Sequence, residues 1–211
     1  KDSSFPSNLV VDGNVAVNFL HGVASGDPTH EAIILWTRVT PEVADYNLPL
    51  KVSWELSTDP DFDNVVNSGS GLTDTHSDYI LKVDATALTP DTRYYYRFNC
   101  NGNFSSDATT KTLPKNGTTP VKITVLSCSN YPAGYFNVYH LASQQKDVDA
   151  ILHLGDFIYE YGRDGYASEK AFELRREVLP EHELLSLNDY RTRHAQYRAD
   201  PDLQELFQSA P

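Results

Sequence analysis

"LHLGDFIYEYG", residues 152–162, is an apolar run that stops abruptly at Gly155-Asp156 and sets Tyr159 three residues beyond the carboxylate. Such a stop marks the carboxyl end of a parallel strand, the edge where α/β proteins collect ligands. Upstream, "VKITVLSCSN" (121–130) is built the same way, a strand closing in small and polar residues. "YFNVYHLASQQ" (135–145) between them has helical spacing, and "VDAILHLGD" (148–156) is a second buried strand. Strand, helix and strand in so short a stretch form a βαβ unit, with both strand ends on one edge of a parallel sheet. Cys128 is therefore expected beside Asp156.

The half that precedes it has a different period. "EAIILWTRV" (31–39), "LKVSWELST" (50–58), "DYILKVDA" (78–85) and "RYYYRFNC" (93–100) are rich in β-branched and aromatic residues. The clusters "TDPDFDN" and "NSGSG" read as the turns between them, spaced as in an all-β sandwich. "ALTPDTRYYYRF" has the pattern of a tyrosine corner, with Tyr94 or Tyr96 capping the turn through its hydroxyl. This half resembles a fibronectin type III or immunoglobulin-like domain. "LPKNGTTP" (113–120), with two prolines and a glycine, places the domain boundary. After the βαβ unit the tail is helical: "SLNDYRTRHAQYR" (186–198) is polar and basic. "DPDLQELFQSA" (200–210) opens with an Asp cap and Pro201 at the first helical position, with Leu203, Leu206 and Phe207 as its apolar stripe.

With 211 residues the chain has room for two modest domains, and 40% hydrophobic against 22% charged residues makes it globular. Its 17 basic and 29 acidic residues give a net charge of -12. That balance argues against nucleic acid or an anionic membrane as partner, and an anionic substrate would need a concentrated local cation such as a metal centre. No apolar run is long enough to span a bilayer. The absence of methionine means that this is not expected to be a primary translation product.

A carboxylate can bridge two cations, and phenolate and thiolate are strong donors to a trivalent or soft ion. Cys128, Asp156 and Tyr159 are thus candidate metal ligands. The plainer readings are a small core cysteine, a turn cap and loop packing. Cys100 and Cys128 could also pair. Asn130 is within reach of phosphate or metal from the Cys128 loop. His21, His30 and His76 read as surface groups of the sandwich, and His153, opposite Leu152 and Leu154 on its strand, as a core histidine. Arg191, Arg193, His194 and Arg198 read as a solvated helix face rather than a phosphate-facing one.

"HGVASGDPTHEAIILWTRVTPE", "CSNYPAGYFNVY", "LHLGDFIYEYG" and "LNDYRTRHAQYRADPDLQELFQSAP" closely resemble the alkaline phosphatase D (PhoD-like) family, over nearly the whole chain from Phe19. The resemblance implies an α+β protein of two domains. Residues 19–112 would be an immunoglobulin/fibronectin III-like β-sandwich. Residues 120–211 would be the first βαβ portion of a metallophosphoesterase α/β domain, incomplete in this chain. It also implies hydrolysis of phosphate monoesters and diesters at a ferric iron and Ca2+ centre, with Cys128, Asp156 and Tyr159 as metal ligands. Asp156 would be the catalytic bridge, Asn130 a substrate contact, and the location periplasmic or secreted. Purple acid phosphatases share Gly-Asp-x-x-Tyr and a similar N-terminal sandwich, but carry Asp where this chain has Cys128. A third reading, from the sandwich alone, is a secreted binding module.

In the family, the segment after "SAP" runs into a strand ending in Asp-Asp-His-Glu, and further His, Asp and Asn ligands follow. The resemblance therefore implies that the remainder of the catalytic domain is required, and that the 211-residue chain alone is an inactive fragment.

Overall fold

Side-chain alternation organises the first half. The computed structural model describes residues 11, 13–117 and 120–211, and the chain divides into two compact units between 118 and 119. The first holds β1 (Val17–Asn18), β2 (Val23–Gly26), β3 (Ile33–Arg38), β4 (Thr40–Pro41), β5 (Leu50–Ser57), β6 (Val65–Thr73), β7 (Ile80–Ala85), β8 (Arg93–Cys100), β9 (Asn103–Phe104) and β10 (Ala108–Lys111). One antiparallel sheet runs β2-β3-β7 and the other β10-β8-β5-β6, with β9 beside β8 and a short β1-β4 pair apart. Ile33 and Leu35 from one sheet share a core with Val52, Leu56, Tyr94, Tyr96 and Phe98 from the other. The period-2 alternation thus buries one face of each sheet against the other, as in a β-sandwich.

The turn expected at "NSGSG" lies instead inside β6. Its glycines have a packing reason. A Cβ on Gly69 would sit 2.9 Å from the Trp54 ring, and one on Gly71 would sit 2.6 Å from Leu81 Cδ1. The side chains of neighbouring strands occupy the space that side chains here would need, so glycine marks a close approach and not a turn. The tyrosine corner is made by Tyr94, whose hydroxyl accepts the Thr89 N–H at 2.8 Å. Tyr96 packs edge-on to Phe98 in the core. His21 is not on the surface: it is buried, with Arg38 Nη1 3.1 Å from its Nδ1. Arg38 also grips Asp78 with both arms of its fork, at 2.9 and 3.0 Å.

The second unit contains β11 (Ile123–Leu126), α1 (Asn137–Ser143), β12 (Ala150–His153), α2 (Ala171–Leu174), α3 (Leu187–Arg198) and α4 (Pro201–Ser209). β11 and β12 pair in parallel, Ile123 opposite Ala150 through Leu126 opposite His153, so the βαβ reading holds. Beyond the two strands the chain turns into the left-handed region at Cys128 (φ 63°), Gly155 (φ 114°) and Asp156 (φ 51°). Phe136, Tyr139, Tyr197, Leu203 and Leu206 form the core, with Leu126 and Ile151 packed against it. The opposite face of the strands, with Ile123, Val125 and Leu152, is exposed.

Caps fix the helices. Asp200 accepts the Leu203 N–H at the start of α4, with Pro201 in the first turn. Ser186 and Asp189 form a capping box on α3. Backbone N–H groups of Ser186 and Leu185 donate to the Asp189 carboxylate and hold its pKa down to about 2. The basic residues of α3 do not make a solvated face: Arg193 and Arg198 are buried.

Candidate metal centre

The two strand ends are stitched together by the backbone. Leu154 donates to the Leu126 carbonyl at 2.8 Å, Cys128 to Gly155 at 3.1 Å, and Ser129 to Asp156 at 2.8 Å. Ladder bonding thus continues past the strands and sets the loop 127–130 against the loop 154–157. Cys128 and Asp156 both stand at positive φ, a conformation that costs a non-glycine residue on the order of a kcal/mol.

The side chains converge. Cys128 Sγ lies 3.6 Å from Asp156 Oδ2, and the Tyr159 hydroxyl donates to the same oxygen at 3.2 Å. The Tyr159 phenol is held well above its ordinary pKa, first by desolvation, then by its hydrogen bonds and charge repulsion with Cys128 and Asp156. Three groups that each become anionic share one point, and a cation there would reverse the repulsion. The set of thiolate, carboxylate and phenolate fits a ferric ion. A calcium ion takes six to eight oxygen ligands, and among these residues Asp156 is the one carboxylate that could be shared with it. Among the described residues, no group of three or more His, Cys, Asp or Glu side chains is placed to hold a metal ion by itself.

Asn130 is half-buried at the end of the Cys128 loop, its amide donating to the Tyr166 carbonyl at 3.3 Å. Both cysteines are free thiols, Cys100 buried and Cys128 exposed, so the pairing is not formed.

Residues 7–114 match the family described as PhoD-like phosphatase, N-terminal domain, and residues 123–211 match PhoD-like phosphatase. The chain belongs to the PhoD-like phosphatase family. It is 37% identical over 199 residues to alkaline phosphatase D of Bacillus subtilis (strain 168), covering 92% of this chain and 33% of that protein. A solved structure titled "Structure of PhoD" superimposes with a TM-score of 0.85 at 35% identity, over 92% of this chain and 37% of that one. The chain thus spans about a third of the length of the PhoD-like relatives it matches.

Two features of this PhoD-like site escaped sequence reasoning. The first lies beneath Cys128. His153 Nδ1 accepts the Gly155 N–H at 3.3 Å, while Nε2 is 3.1 Å from Ser129 Oγ and 3.3 Å from the Tyr139 hydroxyl. Ser129 and Tyr139 also bond to each other. With Nδ1 an acceptor, this network assigns the ring proton to Nε2. Burial pushes the His153 pKa down, against the pull of Asp156, which favours that neutral form. The core-histidine reading located the residue and missed its task of tying one strand-end loop to the other. The second feature is the buried Arg193, whose Nη1 donates to the Tyr159 carbonyl.

Proposed function

We propose that the protein carrying this chain hydrolyses phosphate esters, monoesters and diesters, at a metal centre held on this side by Cys128, Asp156 and Tyr159. The observation that carries the reading is the meeting of Cys128 Sγ and the Tyr159 hydroxyl on one oxygen of Asp156. Membership of the PhoD-like family supplies the reaction class. Ferric iron with calcium is the metal pair this reading calls for. When bound, such a pair supplies Lewis acidity toward phosphoryl oxygens and a nucleophile at neutral pH.

The chain's own residues supply position and charge. Cys128 and Tyr159 flank Asp156 from two different loops, so Asp156 presents its carboxylate between them as the shared, catalytic ligand. The hydrogen bond to Asp156 holds the proton on Tyr159, so the charge of a bound cation would have to offset the cost of releasing it. Asn130 stands next to the Cys128 turn as a contact for substrate oxygens. The remaining ligands belong to the part of the relatives' length that this chain does not span, so the chain by itself is inactive in this reading. A periplasmic or secreted location accompanies it.

The test uses the full-length protein. A phenolate on ferric iron absorbs visible light, so the iron-loaded protein should be coloured. Tyr159→Phe should abolish or strongly shift that band. Asp156→Ala should lose iron and lower hydrolysis by more than the roughly 10- to 100-fold typical of groups that only support a ligand. Full colour, iron content and turnover in Tyr159→Phe would reduce Tyr159 to loop packing.

A further inference from the structure

We infer that Arg193 is a positioning residue that sets Tyr159 at the metal centre, an inference that rests on the reading of Tyr159 as a ligand. Tyr159 stands in residues 154–170, a stretch without helix or strand. Backbone bonds reach that stretch at Asp156, Glu160 and Arg163, on either side of Tyr159, while the Tyr159 carbonyl is bonded by the Arg193 side chain. A long loop that must hold a ligand to within a fraction of an ångström needs an outside brace.

Arg193 has the geometry of that brace. It projects from α3 and is 1% exposed. Nε donates to the Leu179 carbonyl at 2.8 Å, and Nη1 donates to the carbonyl of Tyr159 itself. Nη2 donates to Tyr161 at 3.0 Å and to Pro180 at 3.2 Å. One planar fork therefore gathers the carbonyls of Tyr159 and Tyr161 and ties them to the 179–180 segment. These four bonds go to backbone carbonyls, so the cation is satisfied by dipoles, and burial lowers its pKa.

The same junction is sewn by the backbone. Arg163 donates to Glu181 at 2.8 Å and Leu184 to Glu160 at 2.9 Å. It is also tight: a Cβ on Gly162 would lie 2.7 Å from the Glu181 carbonyl oxygen. Lysine could not replace this arginine. Its three donors radiate from a single nitrogen, whereas the guanidinium spreads five across a rigid plane.

Arg193→Lys and Gly162→Ala in the full-length protein test this, each beside Tyr159→Phe. Arg193→Lys withdraws donors from the Tyr159 carbonyl, and Gly162→Ala wedges the same junction apart with one methyl group. Both should weaken ferric binding roughly 10- to 100-fold, the range for removing a group that orients a ligand. Both should also shift the phenolate-to-iron band while cooperative unfolding is kept. Unchanged iron affinity and band position in the two folded variants would overturn the inference. Loss of cooperative unfolding in both would overturn it too, because Arg193 would then hold the fold rather than Tyr159. If Tyr159→Phe changes the band and neither variant does, the metal reading stands and the brace falls. If Tyr159→Phe leaves the band unchanged, the metal reading itself is wrong.

Discussion

The two units bury their sheets in different ways. In the sandwich, Ile33, Leu35, Val52, Leu56 and Phe98 are all fully buried, each sheet using the other as its cover. In the second unit the parallel pair is covered on one face by aromatic rings and helices, while Ile123, Val125 and Leu152 stand 49–55% exposed on the other. Parallel sheets are ordinarily covered on both faces. The contrast is one of cover: each sheet of the sandwich is closed by the other, and the second unit keeps three converging polar side chains at its strand ends and an uncovered apolar face.

The largest expected effect follows from that face. The 211-residue chain produced alone should self-associate, since an apolar strand face and an open strand edge seek partners in water. Sedimentation velocity at micromolar concentration checks this, and Ile123→Lys together with Leu152→Lys should return the chain to monomer. A monomeric parent chain would break the comparison, because the second unit would then be as complete as the first.

Much of the fold could be read from period alone. "RYYYRFNC" reads as a strand from its aromatic content, and the structure buries Tyr94, Tyr96, Phe98 and Cys100 on one side of it. Gly-Asp after an apolar run placed the turn at Asp156. Misreadings arose where tertiary packing overrode a local signal. Glycines in "NSGSG" answer to Trp54 and Leu81 on other strands, which no local window reveals. His21 is buried because Arg38, seventeen residues away, receives it. The candidate site was legible as residue types at two strand ends. Its supports were not, since Arg193 meets Tyr159 through a backbone carbonyl that carries no sequence signature. The clue available was a 12-residue helix with basic residues and no apolar stripe, which fits burial of polar groups as well as exposure.

A middle-sized effect sharpens the account of the sandwich. Gly69→Ala should destabilise the unit by about 1–3 kcal/mol, the usual cost of overpacking a filled site. The gain in strand propensity from alanine works the other way and is smaller, about 0.5–1 kcal/mol by analogy with glycine's cost in regular structure. The Trp54 ring must move to admit the methyl group, so its fluorescence should shift together with the denaturant midpoint. Unchanged emission and stability would mean that the tight approach is not what selects glycine.

The smallest effect concerns the caps. Tyr94→Phe removes one hydrogen bond to Thr89 and should cost about 1 kcal/mol, measured by denaturant unfolding. The Asp189 cap adds a dependence on acid. Its pKa is about 2 in the folded chain against 3.8 ordinarily, so the folded state binds its proton less readily than the unfolded one. The stabilisation is therefore fully present above the ordinary value and is lost as pH falls through about 2. Asp189→Asn should lower the stability of the helical unit at pH 7, with the difference from the parent shrinking between roughly pH 4 and pH 2. Amide exchange in α3 followed over that range is the measurement. A variant that matches its parent at neutral pH would show that the capping box carries no net stability and that α3 is held by its packing alone.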